Sequence, residues 1–450
     1  MPYGLPAKSS RASRKLRAPL RGAWQIPRHM HSRHAWVIAA IVLGAAARAQ
    51  AQAPAPAAPQ ELLDEARSLL VVGACADGPA SGEAAKLQDD KRGPAGPEAK
   101  IKPDVYAAHC KAVRAAQDDY KKQWLASAAE FFKANVPAGI PKTVVYPFAG
   151  GDLATALAVY PDADEITTIS LEPAGDPRAL GRLTEAELKA ALPPVAKELG
   201  ALYRYNYEKT MDMISAMTGA RLPTQLIFSL SALWIHGYEL TSMRYFTLTP
   251  EGDVRYLTAD DTRKLDAITN LNKRNREYGN VELRFRKKGG REQVYHHLLA
   301  NLDDEHLKST PATLLHLEKK GHVAAMTKAA SYLLTFDNFK GMRKYLIDHV
   351  DWMVSDSTGL APKYGTPAGF EYEMWGQYDV SNMPEGKWIT PQWVALYAAQ
   401  PKRPLKFRFG YPSGGPRYSA HLIIMRKAKS PPAPAPAPAK ADPAKPAKPA

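Results

Sequence analysis

An α/β fold built on a mostly parallel sheet with antiparallel hairpins, preceded by a helical N-terminal segment, is predicted by three features of the sequence. After Pro141, short β-rich runs alternate with segments of helical apolar spacing. Further along, Gly-bearing turns join β-rich runs into pairs that read as hairpins. Before Pro141, apolar residues recur only at helical spacing. Composition permits such a fold: 45% apolar and 9% aromatic residues can bury a large core, and two cysteines in 450 residues exclude a disulfide scaffold.

The chain opens with an address. Ala35–Ala47 (AWVIAAIVLGAAA) is an apolar run with cations before it and Ala49-Gln50-Ala51 after it. That is the pattern of a secretory leader, with residues 1–51 removed after Ala49 or Ala51 and Met30 as an alternative start. A retained anchor would need about 20 apolar residues, so no membrane span is expected once the leader is gone. Export to the periplasm or the extracellular space follows, and in that oxidising setting Cys75 and Cys110 are expected to form a disulfide.

Residues 52–60 (QAPAPAAPQ) form a Pro/Ala linker, and residues 428–450 a Pro/Ala/Lys tail with eight prolines and three lysines from Pro431 onward. Such sequence lacks large groups to bury and stays extended. The tail can serve as an inert spacer or skim an anionic envelope polymer. Between them, residues 61–140 are the helical segment: Glu61–Cys75 reads as one helix. A second runs from Pro103 towards Pro137, with Tyr106, Cys110, Val113, Tyr120, Trp124, Ala128 and Phe131 on one stripe.

Residues 141–427 are the α/β domain. Thr143–Tyr146, a turn at Pro147–Asp152, a helix over Leu153–Tyr160 and a strand over Glu165–Leu171 make a βαβ unit, with the Gly-Gly turn at the carboxyl edge of the sheet. Leu183–Met217 reads as helix, and Leu226–Ile235 as helix or buried strand. Met243–Thr249 with Asp253–Thr258, and Val281–Arg286 with Gln293–Asn301, read as hairpins. Thr313–Lys320 is expected to be helical, His322–Leu334 strand and turn, and Phe339–His349 helix. Leu405–Tyr411 and Ser419–Arg426 are expected to close the chain as a last hairpin.

Charge excludes one function class. The formal charge is +15, but nine of the 60 lysines and arginines lie in the first 50 residues with no acid among them. The remainder carries 51 bases against 45 acids without a dense basic run, so no nucleic-acid partner is expected. The sequence also lacks a G-x-S-x-G elbow and a phosphate-binding GxxxxGK[ST] loop, which removes the usual support for acyl transfer and nucleotide hydrolysis.

Two groups of motifs carry a resemblance. Tyr146-Pro147-Phe148-Ala149-Gly150-Gly151-Asp152 with Leu171-Glu172-Pro173, and Lys328-Ala329-Ala330-Ser331-Tyr332-Leu333 with Asp356-Ser357-Thr358-Gly359, resemble a family of exported bacterial proteins without an assigned activity. That resemblance implies a shared fold and no chemistry. The order of elements is also similar to class I methyltransferases, which implies a Rossmann-like sheet. There Gly150-Gly151 would be a reduced cofactor loop, Glu172 the acid ending strand two, and Gln293–Asn301 strand four. Lys319-Lys320-Gly321 would lead into strand five, and Ser419–Arg426 would be the last, antiparallel strand.

The candidate site gathers at that edge. Gly150 and Gly151 let backbone approach a ligand, Asp152 either caps the following helix or faces the ligand, and Glu172 either binds a hydroxyl pair or is a solvated turn acid. Tyr146 is expected at the same place, and Lys328 and Asp356 either reach that edge or are ordinary charges, Lys328 on the surface. The leading expectation is a small polar or glycan ligand bound without a cofactor, and the alternative is a hydrolase using Asp152 and Glu172 as acid and base. His296, His297, His306, His316 and His322 match no metal-ligand spacing and read as surface or edge histidines, the first two on opposite strand faces. Trp375, Tyr378, Trp388 and Trp393 are either a sugar-stacking patch or core.

Overall fold

The computed structural model describes residues 59–76, 101–205, 221–356, 358–376, 390–410 and 421–427. The leader, most of the Pro/Ala linker, the C-terminal tail, Tyr378, Trp388 and the end of the expected Leu183–Met217 helix lie outside the described residues.

The helical segment comes first. α1 (Leu63–Ala74) and α2 (Pro103–Tyr120) are joined by the Cys75–Cys110 disulfide, whose Cα atoms are 5.4 Å apart. A π-helical turn, Lys121–Leu125, separates α2 from α3 (Ala126–Asn135). The wider turn takes in an extra residue, and the buried stripe therefore continues through Trp124 and Ala128 to Phe132, leaving the expected Phe131 only partly buried.

The α/β region begins with β1 (Thr143–Pro147), α4 (Leu153–Val159) and β2 (Glu165–Ser170), and β1 and β2 pair in parallel. After α5 (Ala179–Arg182) and α6 (Glu185–Tyr205), the ambiguous apolar stretch is a helix, α7 (Thr224–Ile235). It is apolar nearly all round and accordingly buried nearly all round. Next come β3 (Glu239–Leu248), β4 (Val254–Tyr256), α8 (Ala259–Asp266), α9 (Leu271–Glu277), β5 (Asn280–Arg286) and β6 (Gln293–Leu299). They are followed by α10 (Asp304–Ser309), α11 (Ala312–Glu318), β7 (Val323–Thr327), 3₁₀ turns over Ala329–Thr335 and Asp337–Phe339, and α12 (Lys340–His349). The last elements are β8 (Val350–Ser355), α13 (Pro362–Gly365), β9 (Phe370–Gly376), α14 (Thr390–Ala398) and β10 (His421–Lys427).

The ten strands of the described residues join one sheet in the order β4-β3-β5-β6-β2-β1-β7-β8-β10-β9. The central five, β6 to β8, are parallel. β5, β3 and β4 extend one side antiparallel, and β10 lies antiparallel between β8 and β9 on the other. The fold is thus α/β and Rossmann-like, with antiparallel additions at both margins. Alternate residues face opposite layers: Val144 and Tyr146 of β1 pack with α4 and the N-terminal helices, while Val145 packs with the α12 side. Helices cover both faces, which explains why the central strands are apolar on both sides.

Three expectations are corrected. Of the expected Leu405–Tyr411 strand, the described residues 405–410 do not pair with the last strand: β10 is apolar on both faces and pairs with β8 and β9, whereas Phe407 and Phe409 lay their rings against α3 and Trp124. Gln293–Leu299 occupies the third position, beside β2, and not the fourth, which is filled by β7. Lys319-Lys320-Gly321 leads into that fourth strand, and the fifth is Val350–Ser355, whose first residue directly follows the last residue of α12.

Candidate functional site

β1, β7 and β8 are neighbours, and their carboxyl ends bring Tyr146, Lys328 and Asp356 to one place. The chain runs from β1 to β2 and β6 on one side and later to β7 and β8 on the other, so this is the point where the strand order reverses. In open α/β sheets ligands bind outside the carboxyl ends at such a point.

The turn after β1 is tightly built. Phe148 and Gly150 both have positive φ (58° and 54°), the Ala149 N–H donates to the Ile169 carbonyl at 2.9 Å, and the Asp152 N–H donates to Ala149 O at 3.1 Å. Asp152 is the N-cap of α4: its Oδ1 accepts from Thr155 N–H at 3.3 Å and from the Thr155 hydroxyl at 2.6 Å. Its Oδ2 accepts from the Tyr146 hydroxyl at 3.0 Å and pairs with the Lys328 ammonium, which also donates to Thr155 Oγ1 at 3.1 Å. Asp152 is 3% exposed and Lys328 1%. Both Asp152 oxygens thus serve the cap and the ion pair.

Lys328 is not a surface cation. It follows β7 directly in extended conformation, its ammonium also lies 5.7 Å from the Phe409 ring, and the next residue, Ala329, has φ 59°. Asp356 holds that backbone: its Oδ2 accepts from Ala329 N–H at 2.9 Å, and its Oδ1 accepts from Thr358 N–H at 2.9 Å and from the Thr358 hydroxyl. Burial pushes the Asp356 carboxyl up, against hydrogen bonds from Thr358 and Ala329 and the nearby Lys328 charge. The 403–410 segment closes over this group. Gly410 (φ 79°) passes so close that a Cβ there would lie 2.7 Å from the Asp356 Cβ.

The Gly-Gly turn is at the carboxyl edge, as expected, but it is buried and not open to solvent. The cause is α7. Gln225 on that helix donates its amide to Gly150 O at 3.0 Å and to His297 Nδ1 at 3.3 Å. The His297 Nε2–H donates in turn to the Glu172 carbonyl at 2.7 Å, which fixes the tautomer and orients the turn after β2. Burial pushes His297 down to about 4, against the bond to Glu172, so this imidazole is neutral. Glu172 itself is fully buried, which corrects its reading as a solvated turn acid; the exposed residue of that turn is Leu171.

Tyr146, Asp152, Lys328 and Asp356, named from the sequence as candidates, meet at this edge as a charge network. Sequence reasoning missed Gln225, Thr155, His297 and Phe409. Only Thr155, three residues after an N-cap aspartate, carried a local signal.

The histidines divide. His296 and His297 do point to opposite faces, but both are buried because β6 lies between β5 and β2. His296 bridges Glu165 (3.1 Å) and Glu282 (2.9 Å), and Glu282 also accepts from Arg244 at 2.7 Å and Arg284 at 2.8 Å. His316 is buried too, donating from Nδ1 to Gly252 O at 3.0 Å, while His306 and His322 are exposed and pair with Asp303 and Asp351. Among the described residues no His, Cys, Asp or Glu group has the arrangement of a metal centre. Of the aromatic patch, Trp393 is fully buried and packs on Tyr372, and Trp375 packs on Phe131, so both serve the core.

No helix of the described residues is long and apolar enough to cross a membrane. No protein-family model, curated protein or solved structure matches this chain.

Proposed function

We propose that this is an exported, envelope-associated protein that binds a small polar ligand, a glycan fragment by preference, at the carboxyl edge of its sheet. The observation that carries the reading is the convergence of the β1, β7 and β8 ends on one buried charge network at the strand-order reversal. Burying Lys328 with two carboxylates is costly and gives little net stability, but it fixes the 148–152, 328–329 and 356–358 loops relative to one another. Such preorganisation suits a binding edge. Gln225 adds support: its amide oxygen is buried beside the sealed Gly-Gly turn without a hydrogen-bond partner among the described residues, an acceptor that a ligand donor meets once α7 moves off the turn. Export rests on the leader pattern, and the Cys75–Cys110 disulfide agrees with an oxidising compartment.

Binding is favoured over hydrolysis because both Asp152 oxygens are already engaged, leaving the proposed acid–base pair without a mobile carboxylate. A second reading, a methyltransferase-like fold that still takes S-adenosylmethionine, is favoured by one observation: β10 lies antiparallel between β8 and β9.

The test is calorimetric titration of the mature protein with muropeptide fragments, chitooligosaccharides and S-adenosylmethionine, repeated with Gln225→Leu, alongside mass spectrometry of the ligand. Saturable heat from a glycan, weakened in the variant and without product, is the expected result. Heat from S-adenosylmethionine alone selects the second reading, cleaved glycan restores the hydrolase, and silence from all three ligands overturns the proposal.

A further inference from the structure

A cavity of about 760 Å³ lies at the opposite, amino edge of the sheet, between α3, the 136–142 segment entering β1, the end of α4 and the turn after α7. Its size falls within the range of small-molecule sites, roughly 300–1,000 Å³. The floor is apolar and buried: Phe132, Val144, Leu157, Tyr160 and Ile235 contribute to it. The rim is charged. Lys133, Lys142 and Lys287 line the cavity and are exposed, with Asp162 as the only acid in its wall among the described residues.

None of the three lysines has a carboxylate partner among the described residues; the Lys287 ammonium instead lies 5.2 Å from the Tyr238 ring. His236, also in the wall, is pushed down to about 3 by burial and by the Lys287 charge, so it adds no cation near neutral pH. The wall therefore carries three positive charges against one negative charge around an apolar floor.

We propose that this cavity is a binding site for a single-chain amphiphilic anion, with the acyl chain on the Phe132–Leu157–Tyr160 floor and the anionic head among Lys133, Lys142 and Lys287. Each half of the cavity excludes other classes. A free inorganic anion leaves the apolar floor wet, and a neutral hydrocarbon leaves the three cations without a counter-charge. An amphiphile with one anionic head satisfies both. Free fatty carboxylates and lysophospholipids share that chemistry.

The test is calorimetry on the mature protein, below the critical micelle concentration, with dodecanoate, dodecanoyl lysophosphatidylglycerol, dodecyl maltoside as the neutral-headed chain, and acetate as the chainless anion. One or both anionic amphiphiles bind saturably, the maltoside binds about tenfold more weakly or worse, a loss of about 1.4 kcal/mol, and acetate gives no heat. Which anion binds identifies the source, carboxylate or lysophospholipid. Lys142→Gln with Lys287→Gln, both exposed sites, weakens the anions towards the maltoside value, and Ala129→Trp, an exposed position on the cavity wall, blocks all chains. Circular dichroism melts verify that both variants fold. Equal affinity for the maltoside, no effect of the lysine changes, or no binding of either anion overturns the proposal. Because the cavity is remote from Gln225, Gln225→Leu is expected to leave the amphiphile titration unchanged.

Discussion

Lys328 shows how differently a residue reads alone and in place. From the sequence it is one more cation; in the fold it is buried against Asp152, and the pair joins the loops after β1 and β7. Removing one partner of such a pair costs about 3–5 kcal/mol, because the other is left as an unpaired buried charge. Lys328→Met is therefore expected to lower the urea-unfolding free energy by that amount. Lys328→Met with Asp152→Asn is expected to recover part of the loss, since asparagine still caps α4 and leaves no unpaired charge at position 152, while Asp356 keeps its hydrogen bonds from Ala329 and Thr358. A double variant no more stable than the single one would show that the pair is not what holds this edge. Asp152 as a cap was legible, because capping is read from the next three residues. Its lysine was not, because nothing local links Pro147–Asp152 to a residue beyond β7.

Among the elements, α1 and α2 depend on each other through Cys75–Cys110. The bridge closes a 35-residue separation, and loop-closure entropy assigns it about 4 kcal/mol. The Cys75→Ala, Cys110→Ala protein, or the wild type under reductant, is expected to lose about that much in chemical denaturation, and a loss under about 1 kcal/mol would contradict it. The positive φ of Cys75 does not confound the comparison, since alanine meets the same penalty as cysteine there. Elements marked by punctuation were readable: Pro103 at a helix start, Pro250-Glu251-Gly252 and Gly289-Gly290 between strands. β8 was not, because α12 passes into it at His349–Val350 with no Gly or Pro between. The final hairpin was misread for a related reason. Leu405–Phe409 has the alternation of a strand, yet its aromatic residues pack on the N-terminal helices.

At the level of the whole molecule, buried titratable groups set a pH optimum. Burial pushes His297 and His316 down to about 4, with the Lys320 charge adding to the effect on His316. In the unfolded chain both titrate near about 6.5. Between about 6.5 and 4 the unfolded state takes up protons that the folded state does not, so stability is full above that window and falls as pH falls through it. Glu165 and Glu282 act in the same direction at lower pH. Although burial opposes them, the His296, Lys320, Tyr256 and Arg284 partners hold their carboxyls below the usual range, and their stabilisation is lost as pH falls below about 4.3. His296 opposes both: its two carboxylate bonds outweigh burial and raise it, so its contribution is present below about 6.5 and fades as pH rises through its folded value. Denaturant midpoints are expected to peak near neutral pH and drop steeply towards pH 4, with His297→Asn making the acid limb shallower by about one proton. A flat profile between pH 7 and 4 would contradict this. By itself, the sequence determined the α/β class, the α1, α2 and βαβ segments and the cysteine pair, and offered Asp152 as a cap as one of two readings, because periodicity, punctuation and capping are properties of near neighbours along the chain. The tertiary structure decided which strands lie side by side, that α7 seals the Gly-Gly turn, and that Lys328 and the β6 histidines are buried, because burial and charge pairing depend on surfaces brought together from distant segments.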